Sequence, residues 1–91
     1  MLGFGDEAAK GAALSLRPNG VPEAWVEQAG KKAGQIKFVD PASKHDYVRV
    51  KPDGTITQVR NGKAFDVNGN LVDLASPAAH GITQDKFIFR E

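Results

Sequence analysis

Apolar and polar side chains alternate along most of the chain from Gln35 onward, and a period of two belongs to pleated strands. In Gln35 to Val39, Ile36 and Phe38 share one side and Lys37 takes the other, which predicts a first strand. In Tyr47 to Lys51, Val48 and Val50 point one way while Tyr47, Arg49 and Lys51 point the other, with His45 in register just ahead. Pro52, Asp53 and Gly54 close a hairpin, because proline presets the first turn angle and glycine accepts positive φ. Thr55 to Arg60 is the returning strand, and a regular register is expected to bring Arg60 back beside His45, Tyr47 and Arg49. Asn61-Gly62 is a two-residue type I′ turn signal. Ala64 to Val67, a turn at Asn68 to Asn70, and Leu71 to Leu74 extend the meander. Phe87 and Phe89 alternate with Lys86, Ile88 and Arg90, so Gln84 to Arg90 reads as a closing strand.

The remaining segments carry helix and loop signals. Residues 1–19 are rich in Gly and Ala and read as a linker or a loosely docked weak helix over Asp6 to Leu16, whose interior Gly11 costs about 1 kcal/mol relative to Ala. Residues 20–91 form the expected domain. Pro22 and Glu23 open a short helix running to Ala29, with Gly30 ending it and Trp25 and Val26 packing it on the sheet. Asp40 to Lys44 reads as loop, and Ser76-Pro77 starts a single helical turn through Ala79 that delivers His80 and Gly81. The fold class is therefore α+β: a short N-terminal helix packed on a twisted, mainly antiparallel meander.

Composition narrows the picture. At 91 residues without cysteine, the chain has neither a disulfide staple nor a thiolate metal site, so packing and hydrogen bonds must hold it. No apolar run approaches the roughly 18 residues of a membrane helix, and the opening MLGFGDEAAK lacks the features of a signal peptide. The net charge of +1 conceals an asymmetry: residues 1–30 carry −2, residues 31–63 carry +5 and residues 64–91 carry −2. A basic middle on a near-neutral chain points to a local anionic partner such as nucleic acid. The competing reading is a set of solvated lysines on ordinary strands.

Phosphate loops, dinucleotide fingerprints, HExxH and nucleophile elbows are absent from the sequence, and its two histidines define no metal spacing. No cofactor is expected. Cleavage of RNA by its own 2′-hydroxyl needs only a base, an acid and cations for the phosphorane charge. His45 and His80 suit the proton roles, and Arg49 offers a guanidinium fork to the scissile phosphate. Lys37, Tyr47, Lys51 and Arg60 complete the expected RNA contacts. Each has a plainer alternative: His45 capping a strand, Tyr47 as a half-buried sheet aromatic, and His80 bonded to a loop carbonyl.

The segments GVPEAWVE, FVDPASKHDYVRV, VRNGKAFDVNGNLV, SPAAH and KFIF resemble, in order, the C-terminal modules of bacterial polymorphic toxins of the Rhs, cell-wall-associated and contact-dependent-inhibition kinds. The match spans Gly20 to Phe89 and places His45, Arg49 and His80 at motif positions. Asp40, His45 and FDVNGN also look like a stretch of the ribosome-cleaving colicins. Arg49 stands near a further acidic position there, which favours a His and Arg site over a His and Glu pair. The resemblance implies a metal-independent endoribonuclease with a fold like the toxins grouped around barnase, EndoU and RelE. It implies tRNA as substrate, with rRNA as the alternative, and a cognate immunity protein as partner. It also implies a monomeric C-terminal part of a larger secreted protein, delivered into a competitor bacterium and acting in its cytoplasm. The rival class is a non-catalytic nucleic-acid or protein binding module using the same basic face.

Overall fold

Six strands follow one another as an up-and-down meander, each paired with the strand before and after it in the chain: β1 (Val26–Ala29), β2 (Ile36–Asp40), β3 (Ser43–Val50), β4 (Ile56–Arg60), β5 (Lys63–Phe65) and β6 (Leu71–Asp73). They are seen in a computed structural model that describes residues 17–91. Every pairing is antiparallel. The expected helix over Asp6 to Leu16 lies outside the described residues.

The turns follow local chemistry. Asn61 (φ 53°) and Gly62 (φ 83°) both occupy the left-handed region, and Arg60 pairs with Lys63 across them, as a type I′ hairpin requires. Between β3 and β4, Lys51 N–H donates to Thr55 O at 2.9 Å and Gly54 N–H donates to Lys51 O at 2.8 Å. The Asp53 carboxylate accepts from the Thr55 hydroxyl and amide, and these bonds, the hydroxyl first, hold its pKa below the ordinary value. The expected Asp40 to Lys44 loop is instead a tight turn at Pro41-Ala42. Asp40 caps it by accepting from Ala42 N–H, and β3 begins at Ser43. Since Val39 pairs with Tyr47 and Asp40 with Ser43, residues 44–46 face no β2 partner and form a bulge.

The segment read as a helix from Pro22 to Ala29 is a turn followed by a strand. Trp25 N–H closes the turn onto Pro22 O, and Val26–Ala29 pairs with Val39–Ile36. A helix of about eight residues is marginal without strong packing. Here all four β1 side chains are exposed, so no apolar stripe favours a helix and the β2 edge decides the conformation. The expected closing strand is also absent. Lys86 and Phe87 amides turn back onto Thr83 O, and the backbone N–H and C=O of Arg90 meet the side-chain amide of Gln58 instead of a neighbouring strand. The alternation nevertheless holds in burial: Phe87 is buried, Phe89 half-buried and Ile88 exposed.

Two apolar clusters sandwich the sheet. On one face Phe38, Val48, Val50 and Ile56 meet Val21, Ile82 and Phe87, with Trp25 and Phe89 alongside. Full burial of such a side chain contributes about 1.5–3 kcal/mol. The guanidinium of Arg17 lies 4.5 Å from the Phe38 ring centre and donates to Pro22 O, so residues 17 and 18 pack with the domain. On the other face Val59, Ala64 and Ala79 pack with Tyr47, Val72 and Leu74. The 3-10 turn Pro77–Ala79 covers this second cluster, with Ser76 capping it by accepting from Ala78 N–H.

Candidate functional site

Strand register sorts the expected site residues. Lys37 pairs with Arg49, and Arg49 with Thr57, so these three lie in one row on the face opposite the Phe38 cluster. Tyr47 occupies the next position along β3 on that face, and the Lys37 ammonium sits 4.5 Å from its ring centre as a cation–π contact. Arg49 is half-buried, and its Nε has no hydrogen-bond partner among the described residues. Lys51 follows the end of the same strand at the hairpin, half-buried. Lys37, Tyr47 and Arg49 therefore share a patch, as the alternation predicts.

Arg60 does not join them. It pairs with Asp46, on the face of Val48 and Val50, and its guanidinium donates to Glu91 O at 2.6 Å. The turn Pro52-Asp53-Gly54 inserts three residues between Lys51 and Thr55, and that odd count sets Asp46, not a residue of the Tyr47 face, opposite Arg60.

The histidines are also separated. His80 is clamped: its Nε2 lies 2.8 Å from Leu74 O and its Nδ1 lies 3.3 Å from Thr57 Oγ1. A carbonyl only accepts, so Nε2 carries the proton toward Leu74, and in the neutral ring the Thr57 hydroxyl donates to Nδ1. Thr57 is itself fully buried. His45 lies in the bulge, exposed, and its ring has no hydrogen-bond partner among the described residues, while its carbonyl accepts from Asn61 N–H. Four β4 positions separate Asn61 from Thr57, which puts the anchors of the two histidines roughly 13 Å apart. His80 spends both ring nitrogens on its bonds to Leu74 and Thr57, whereas the His45 ring has both free among the described residues.

A cavity of about 350 Å³ opens at the bulged end of the sheet, on the Arg60 side. Asp40, Asp46 and Arg60 form its polar floor, while Trp25 and Phe89 wall it with rings in edge-to-face contact, 5.2 Å between centres. A second hollow continues from Asp46 and Arg60 to Lys63. Asp46 and Lys63 were not among the sequence candidates. Asp46 was legible as the cross-strand partner of Arg60, and Lys63 as its partner across the Asn61-Gly62 turn. No group of three His, Cys, Asp or Glu side chains among the described residues could hold a metal ion. Among those residues, no helix is long and apolar enough to cross a membrane.

No family model, curated protein or solved structure matches this chain.

Proposed function

We propose that this chain is the ribonuclease module of a bacterial polymorphic toxin, cutting tRNA or, as the alternative, rRNA in a competitor's cytoplasm. An immunity protein neutralises it in the producing cell. The reading rests on the order of toxin-like motifs and on one observation in particular: the exposed, unpartnered His45 stands in a β-bulge with cations on either side. Bulges commonly re-aim a side chain beside an active site. Lys37 and Arg49 lie along one face, and Arg60 and Lys63 lie on the other.

In this mechanism the neutral His45 takes the proton of a ribose 2′-hydroxyl. The O2′–P bond forms, the P–O5′ bond breaks, and the imidazolium returns a proton to the leaving O5′. The products are a 2′,3′-cyclic phosphate and a 5′-hydroxyl. No metal is needed, because the nucleophile belongs to the substrate. Arg49 is roughly 13 Å from His45 along β3, so with Lys37 it holds a neighbouring phosphate and not the scissile one. Tyr47 and Lys51 extend the RNA path. His80, with both ring nitrogens engaged, is a positioning residue that ties the Leu74–His80 segment to β4.

The test is purified protein incubated with total RNA with and without EDTA. The reading expects fragments ending in cyclic phosphate in both lanes. Binding without cleavage, falling steeply with salt, would instead support a non-catalytic nucleic-acid module.

A further inference from the structure

We propose that the cavity between Trp25, Phe89, Asp40, Asp46 and Arg60 is a base-binding subsite that selects guanine. The proposal rests on the RNA reading above and goes beyond it by naming the base. The cavity volume, about 350 Å³, falls within the range of small-molecule sites and exceeds what one base needs. Its wall is a half-buried indole, and aromatic faces are the usual platform for an unstacked base.

The charges on the floor decide the ligand class. Asp40 and Asp46 each use Oδ1 to accept a backbone amide, from Ala42 and Asn61 respectively, which fixes the carboxylates and leaves each Oδ2 without a partner among the described residues. Arg60, the cross-strand partner of Asp46, donates to Glu91 O. Arg90 and Glu91 also line the cavity, so a cationic side chain entering here would meet Arg60, Arg90 and, beyond them, Lys63, while a simple anion would meet Asp40, Asp46 and Glu91. A ligand with a donor edge and a negative tail satisfies both signs, as a nucleotide does.

Among the four RNA bases only guanine presents two adjacent N–H donors, N1–H and N2–H, on its Watson–Crick edge. Adenine and cytosine each place an acceptor next to their amino group, and uracil flanks its one N–H with carbonyls. A fixed carboxylate therefore accepts two bonds from guanine and is repelled by the acceptors of the others. Arg60 is left for the O6 acceptor or a phosphate oxygen. His45 immediately precedes Asp46 in the chain, so the bulge that carries it borders the cavity.

Trp25 is the only tryptophan of the 91 residues, so its fluorescence reports occupancy directly. The full chain is titrated with 5′-GMP, AMP, CMP and UMP. The proposal expects saturable quenching by GMP at an affinity about tenfold or more above that of the other three, the lower end of what a bidentate base contact provides. Asp46→Asn and Asp40→Asn retain an oxygen for the backbone amide, so the fold is kept, and at least one of them is expected to abolish the preference for GMP. Equal quenching by all four nucleotides, none by any, or an undiminished GMP preference in both variants overturns the subsite. Cleavage of RNA without guanine discrimination would overturn the subsite and leave the nuclease standing. Selective GMP binding without cleavage would do the reverse.

Discussion

Replacing Gln58 by Met should detach the C-terminal segment from the sheet. Gln58 is only 3% exposed and lies in the middle of β4, opposite Val48 on the face of the main core. Its amide nitrogen donates to Arg90 O and its amide oxygen accepts from Arg90 N–H, the latter at 2.9 Å, so one side chain replaces the strand ladder that Arg90 lacks. Methionine keeps the length and volume but offers no comparable partner, which isolates the two hydrogen bonds from a cavity effect. A net hydrogen bond contributes about 0.5–1.5 kcal/mol, and both bonds here are part-buried, so water replaces them in part. The expected loss is about 1.5 kcal/mol. For a domain of this size that lowers Tm by roughly 6–12 °C. The assay is thermal unfolding by circular dichroism, with amide exchange followed at Arg90. The Arg90 amide is expected to lose protection while Val48 and Val59 keep theirs. An unchanged Tm with a protected Arg90 amide would refute the assignment of Gln58 as the tether.

Two further outcomes follow from the same geometry. His80→Ala removes both the bond to Leu74 O and the acceptor of the buried Thr57 hydroxyl, so it should cost about 2 kcal/mol in urea unfolding. An unchanged midpoint would return His80 to the list of free catalytic groups. The Asp66 carboxylate accepts from the Asn70 amide first, and from the Asn70 side chain and Asn68 amide, which lowers its pKa in the folded state. Its stabilisation is thus complete above about pH 4, the unfolded value, and fades as pH falls through the lower folded value. Asp66→Asn should flatten the acid limb of the stability curve over that window, and a parallel curve would contradict the role.

Strand positions were largely legible because they depend on near-neighbour chemistry. Asn61-Gly62 can adopt the two positive φ angles of its turn, and the alternation of Phe38, Val48 and Val50 fixes a buried face without reference to distant residues. Val26–Ala29 was misread because Pro22 and Gly30 are good helix punctuation, while the evidence for a strand lies in a partner, β2, that local pattern does not reveal. The tail from Phe87 shows the right burial rhythm, but its hydrogen bonds go to a side chain, which no strand period encodes.

The patch of Lys37, Tyr47 and Arg49 follows from alternation alone. Arg60 falls on the other face because a turn of three residues, Pro52 to Gly54, pairs even positions of β4 with even positions of β3, a parity that counting from Lys51 to Thr55 reveals. The clamp on His80 depends on Thr57, distant in sequence, and was beyond local reading. The cavity joins the segment around Trp25, the β2–β3 bulge and the tail, and only the assembled fold brings these three together.

His45→Ala tests the central claim most directly, with RNA cleavage and Tm measured on the same sample. His45 is exposed in a bulge and its ring makes no hydrogen bond among the described residues, so its loss should leave Tm within about 2–4 °C, as surface substitutions generally do. General acid–base catalysis contributes about 10²- to 10⁴-fold, so cleavage should fall by a factor in that range. Full cleavage by the variant, or a loss of activity that merely tracks a fall in Tm, would contradict the account.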